Sequence, residues 1–134
     1  MTVLLVDAAN VVGSRPDGWW RDRAGAATRL LSRLAVLPGR ELAGPDGGTV
    51  VCTRVVAVVE GRARAASGAD GVDVLRAEGS GDDELVRAAE QLTGPVLVVT
   101  ADRGLRARLP AGTATAGPGW LHARLDEIDC APPA

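Results

Sequence analysis

The chain contains no lysine, no phenylalanine and no tyrosine, with one histidine, one methionine and two cysteines among its 134 residues. Each shortage narrows the possible functions. Without Phe or Tyr, stacking on nucleic-acid bases falls to Trp19, Trp20, Trp120 or the planes of arginine side chains. Cys52 lies in an apolar run and Cys130 in the tail; such isolated cysteines suit reduced thiols, and the lack of any CxxC spacing excludes a structural zinc site. His122 stands in an expected surface helix with no nucleophile elbow near a serine, so Ser/His/Asp catalysis lacks its parts. That histidine reads as an unremarkable surface residue. No run reaches about 18 apolar residues, so no membrane span is expected. Met1-Thr2-Val3 leads directly into a strand with no basic or apolar leader pattern, which points to a cytoplasmic protein.

The cationic side chains are all arginine, 15 of them against 17 acids, giving a formal charge of −2 and a pI near 5.3. Together with the abundance of Ala, Gly and Val, the arginine bias looks like genome base composition. The acidic balance argues against a broad basic surface for nucleic acid and leaves room for a local patch. At 134 residues, 46% of them apolar, the chain suits a single domain with a real core. That domain is expected over 1–129, with a frayed tail at 130–134.

Strand-like and helix-like segments alternate. Residues 2–7 form a first strand, and residues 8–14 read as a loop. Trp20, Ala24, Ala27, Leu31 and Leu34 recur at helical spacing until Pro38-Gly39. On this pattern Trp20 faces inward and Trp19 lies at the surface. Residues 43–48 read as a surface loop, and Thr49 to Glu60 is the longest β-branched run. Residues 61–71 read as a loop with one turn of helix, followed by a short strand at 72–75. Ser80 suits the cap of a helix whose Leu85, Ala88, Ala89 and Leu92 share a face. A strand at 96–99, a short arginine-bearing helix at 103–109, a weak edge strand at 113–116 and a last helix complete the chain. This alternation predicts a mainly parallel sheet wrapped on both faces.

Acids stand where strands give way to loops. Val3-Leu4-Leu5-Val6-Asp7 and Val96-Leu97-Val98-Val99-Thr100-Ala101-Asp102 each run apolar residues into a carboxylate. In a parallel sheet, Asp7 and Asp102 would emerge at the edge where open α/β folds place ligands. Asp7 is the hardest to dismiss, because an unpaired buried charge costs several kcal/mol. It is either metal-bound, paired with an arginine or satisfied by its own loop amides. Asn10 suits a loop-orienting amide and equally a simple turn residue. Asp82-Asp83-Glu84 could serve a helix N-terminus, with Ser80 and Asp83 as a capping pair. Asp102 could cap the helix that follows it, or bind metal while Arg103 and Arg106 hold phosphate. Glu60, ending Val58-Val59-Glu60, is a further candidate for this rim.

Rival signatures fail. Gly79-Ser80-Gly81 has Glu84 where a dinucleotide fingerprint needs glycine, and a P-loop is absent. Asp7 lacks the second Asp two residues later that haloacid-dehalogenase-like enzymes need.

Four ordered segments remain: Leu5-Val6-Asp7-Ala8-Ala9-Asn10, Val58-Val59-Glu60-Gly61, Gly81-Asp82-Asp83-Glu84-Leu85, and Val98-Val99-Thr100-Ala101-Asp102-Arg103. In order and context they resemble the NYN/PIN-like nuclease superfamily, in particular its small bacterial YacP-type branch. The resemblance implies a Rossmann-like, three-layer α/β/α sandwich with strands ordered 3-2-1-4-5. It also implies a Mg²⁺- or Mn²⁺-dependent ribonuclease site. Asp7, Asp82 and Asp102 match the catalytic acids, and Asp83 joins them as a candidate metal ligand. Asn10, Arg103 and Arg106 are then candidates for substrate contact, with Arg21 or Arg23 as further phosphate contacts. Glu60, Asp83 and Glu84 compete for a fourth acidic position. RNA is the expected partner, no membrane is involved, and a homodimer stays open. Two other readings compete: a non-catalytic module for RNA or protein binding, whose acids would pair with arginines, and a nucleotide phosphohydrolase.

Overall fold

Strands β1 (Thr2–Asp7), β3 (Thr49–Val59) and β5 (Val96–Val99) form the centre of the sheet in a computed structural model that describes residues 1–130. β1 runs parallel to both neighbours, with Val6 opposite Ala57 on one side and Val99 on the other. Outside them lie β4 (Val72–Arg76), parallel to the second half of β3, and β6 (Ala114–Ala116), parallel to β5. The five parallel strands therefore follow the expected 3-2-1-4-5 order. A short strand, β2 (Glu41–Ala43), pairs antiparallel with Thr49–Val51 of β3, and its last residue falls in the loop expected at 43–48. Its alternation covers a single buried residue, Leu42, which is too brief to register as a strand.

The central strands are apolar on both faces because both faces are covered. Leu4 and Val6 point into one core with Val55, Ala57, Val59, Leu97 and Val99. Helices α1 (Ala8–Gly13), α2 (Arg23–Leu34) and α5 (Pro118–Cys130) close that side through Val11, Leu31, Leu34, Leu121 and Leu125. Leu5, Val56, Val58 and Val98 point the other way, against Leu85 and Leu105 of α3 (Gly81–Gln91) and α4 (Arg103–Arg108). The result is the expected Rossmann-like α/β/α layering. The helix α5 runs through Cys130, into the segment expected to fray; the rest of that tail, 131–134, lies outside the described residues. Among the described residues no helix is long and apolar enough to cross a membrane.

Two local features depart from the sequence pattern. Residues 8–13 form a helix rather than a loop, because the Asp7 side chain accepts from the Asn10 amide and caps it. Trp19–Arg21 forms a separate 3-10 turn ahead of α2, capped by Asp22 through the Gly25 amide. This break reverses the expected tryptophan orientations. Trp20 is half exposed, whereas Trp19 is partly buried and faces a cleft.

Candidate active site

The parallel register brings the strand-ending acids to one edge. Val6 lies opposite Val99, so the next residues, Asp7 and Thr100, emerge side by side. The Thr100 hydroxyl donates to Asp7 Oδ2 at 2.9 Å, and the Asn10 amide donates to Oδ1 at 3.3 Å. Asp7 is only 7% exposed. Burial pushes its carboxyl above the ordinary carboxylate range; the two hydrogen bonds oppose this, and the charges of Asp82 and Glu60 add to it. One loop amide and one hydroxyl therefore satisfy Asp7 in part, yet they leave the carboxyl raised.

Asp82, in the first turn of α3, is also pushed up, chiefly by partial burial and then by the charges of Asp102 and Glu60. Asp102 caps α4, accepting from the Leu105 amide at 3.0 Å. Its own amide donates to the Thr100 hydroxyl, which links it through one residue to Asp7. Asp7, Glu60, Asp82 and Asp102 thus share one edge, where the charges of its neighbours add to the rise at Asp7 and at Asp82. None of the ion pairs among the described residues includes any of them.

The remaining candidates fall elsewhere. Asp83 pairs with Arg108 at 2.7 Å, and Glu84 pairs with Arg87. The anticipated Ser80–Asp83 capping pair does not form. The Glu60 carboxylate, arriving from the end of β3, instead accepts from the Gly81 amide and so caps α3 from a distance in sequence. A Cβ at position 81 would lie 2.6 Å from Glu60 Oε2, so a side chain there would displace the tip of Glu60. Asn10 Oδ1 accepts from the Ala101 amide at 2.8 Å, pinning α1 to the loop that carries Asp102. Arg106 is committed to the backbone: its Nε and a terminal nitrogen donate to the Thr100 carbonyl at 2.9 and 2.6 Å. Arg103 is exposed beside Asp102 with no ion pair among the described residues.

His122 is not a surface residue. It is 9% exposed, because α5 packs its first turns against α1. Its Nε2 lies 3.1 Å from the Val11 carbonyl, which can only accept, so Nε2 carries the proton; the Ser14 hydroxyl is 2.9 Å away. Burial holds its pKa below the usual histidine value, and Arg15 and Arg33 press in the same direction. Cys52 is buried and its thiol is pushed up to about 11, which makes it unreactive, while Cys130 is exposed and free.

No three His, Cys, Asp or Glu side chains among the described residues stand close enough to enclose a metal by themselves. The donor chemistry nevertheless suits a hard cation. Mg²⁺ prefers carboxylate oxygen, keeps several waters, and is held by one or two carboxylates together with substrate phosphates. Asp7 and Asp82, both raised by burial and neighbouring carboxylates and neither in an ion pair among the described residues, are the arrangement a cation would relieve.

The fold and edge define a Rossmann-like α/β protein with an acidic sheet edge. No family model matches the chain, and no curated protein matches its sequence. Among solved structures it is similar to a mutant form of Rae1 (YacP) from Bacillus subtilis, with a TM-score of 0.69 and 19% identity. The likeness covers 96% of this chain and 77% of that one, and shows a shared YacP-like fold.

Proposed function

We propose that this chain is a metal-dependent ribonuclease that hydrolyses RNA phosphodiester bonds at the edge formed by Asp7, Asp82 and Asp102. The observation that carries the reading is Asp7: a buried carboxylate at a strand end, raised by its surroundings and left without a cation. Structural aspartates are normally neutralised where they are buried. A non-catalytic module would pair these acids with arginines, and the ion pairs instead go to acids outside the edge. The YacP-like fold and the four ordered motifs support the same reading.

One or two of Asp7, Asp82 and Asp102, together with a substrate phosphate, would hold Mg²⁺ or Mn²⁺, with Asp83 withdrawn by Arg108. When bound, such an ion makes a water easier to deprotonate and neutralises charge on the phosphate. The chain's own residues set the stage. Thr100 and the Asn10 amide fix the orientation of the Asp7 carboxylate, and the Asn10 side chain holds the Asp102 loop in register. Arg103 is free to meet a flanking phosphate, and Arg106 keeps the end of β5 in place. RNA as partner and a cytoplasmic location belong to this proposal; a homodimer is compatible with it.

The test is cleavage of single-stranded RNA with Mn²⁺ by the wild type and by an Asp7→Asn/Asp102→Asn variant of unchanged circular dichroism. Cleavage by the wild type and none by the variant is expected. Equal cleavage by the folded double variant contradicts the proposal.

A further inference from the structure

Beside the acidic edge, on the α2 side of α1, lies a cleft of about 400 Å³, within the range of small-molecule sites of about 300–1,000 Å³. Its floor is made of small residues that present no bulk, Ala8, Ala9 and Ala27 among them. Trp19 and Arg23 form one wall, with the Arg23 guanidinium 5.4 Å from the centre of the indole ring. Glu60 also lines the cleft and adds a carboxylate to it. The cleft is continuous with the acids: Ala8 and Ala9 directly follow Asp7, and Glu60 is close enough to Asp7 and Asp82 to raise both. Trp20 braces Trp19 edge-on at 5.9 Å, so the wall is a packed element rather than a loose side chain.

We infer that this cleft is a nucleobase subsite for the nucleotide next to the cleaved phosphate, and that it selects guanine. The inference rests on the ribonuclease reading of the adjoining acids. Indole and guanidinium surfaces are the platforms on which unstacked bases settle. In a chain without Phe or Tyr, an aromatic wall beside the acidic edge can come only from tryptophan. Selectivity comes from Glu60. A carboxylate accepts hydrogen bonds and cannot donate them. One Glu60 oxygen already accepts from the Gly81 amide, which fixes the group in the cleft and leaves acceptor positions on the other. Guanine places two adjacent donors, N1–H and the N2 amino group, on one edge. Adenine and uracil present at that edge an acceptor beside each donor. The exposed Arg23 guanidinium is also placed to meet a backbone phosphate, offsetting the acidity of the rim.

The experiment is a titration of ¹⁵N-labelled protein with GMP, AMP and UMP in Mg²⁺ buffer, alongside RNA cleavage kinetics. GMP should shift the Trp19 indole N–H, assigned by its loss in Trp19→Leu, and the amides of Gly61, Ala63 and Gly79. AMP and UMP should bind at least about fivefold more weakly, the lower end expected for loss of a two-donor contact. Trp19→Ala should weaken GMP binding roughly 5- to 150-fold, the range of a lost base stack. Glu60→Gln, whose amide oxygen can still accept from Gly81, should keep the fold and lose the preference for GMP. Shifts that avoid these residues, or equal affinity for all three nucleotides, overturn the inference. RNA cleavage separates the two proposals. If RNA is cut and Trp19→Ala alters neither GMP binding nor KM, the subsite falls and the ribonuclease reading stands. If GMP binds as expected and no RNA is cut, the ribonuclease reading falls and the base site stands.

Discussion

Asp7 and Asp126 are both aspartates packed beside helices, and they are treated in opposite ways. Asp126 on α5 receives Arg15 at 2.9 Å and Arg33 at 2.8 Å, and these two guanidinium groups hold its carboxyl below the usual range. Arg33 also reaches Asp129, so the α5 acids form a neutralised network that ties α2 to the end of the chain. At the sheet edge, Asp7 and Asp82 move the other way, raised by burial and by each other's neighbours. Cations are not scarce, with 15 arginines to 17 acids. Other acids without an ion pair among the described residues, such as Asp17, Asp46 and Glu90, are exposed to water, so what sets the edge apart is an unpaired acid, Asp7, that is buried. Where a fold leaves converging carboxylates unpaired while neutralising others nearby, the unpaired set is the candidate for binding a cation from solution.

The contrast can be challenged by substitution on either side. The largest effect is expected at the edge itself, where Asp7→Asn alone should bring Mn²⁺-dependent RNA cleavage down to background in a gel assay. Gly81→Ala comes next. It pushes the Glu60 carboxylate off its amide and removes the cap of α3, a loss of about 0.5–2 kcal/mol read by urea denaturation. It should also weaken Mn²⁺ binding, because Asp82 sits in the loosened turn.

A smaller effect concerns pH. Asp7 has a raised folded-state pKa, so its favourable contribution is complete below its ordinary value of 3.8 and is lost as pH rises through the raised one. At pH 7 its buried charge works against folding. In metal-free buffer Asp7→Asn should therefore melt higher than the wild type at pH 7, with the difference closing below pH 3.8. A wild type that melts higher at pH 7 would contradict the raised pKa. The smallest effect belongs to Asp126→Asn, whose exposed pairs are screened by salt. A slight drop in Tm at low salt, absent at high salt, with unchanged RNA cleavage, is expected there.

Much of this arrangement was legible in the sequence, for identifiable reasons. Buried parallel strands read as unbroken apolar runs, so residues 2–7, 55–59 and 96–99 announced themselves, and the acids that end them followed. Elements decided by one side chain were not legible. The helix at 8–13 depends on Asp7 turning back to cap it, and β2 on three residues finding the start of β3. The role of Glu60 was hidden because its partner, Gly81, lies 21 residues away. Local pattern reasoning instead assigned that cap to Ser80 and Asp83. His122 was misplaced because a helix with little amphipathic contrast does not reveal which face meets α1. The pair Trp19-Trp20 was assigned the wrong way round for want of one fact, that α2 begins at Arg23 and leaves both rings on a separate turn.

Binding of a divalent cation by the edge acids can be measured directly. Electron paramagnetic resonance of free Mn²⁺, titrated with protein at pH 7, addresses it without reference to activity. The wild type should deplete the free Mn²⁺ signal, Asp7→Asn and Asp82→Asn should leave most of it in solution, and Asp126→Asn should match the wild type. Equal depletion by the wild type and Asp7→Asn, or none by any variant, would contradict the cation site.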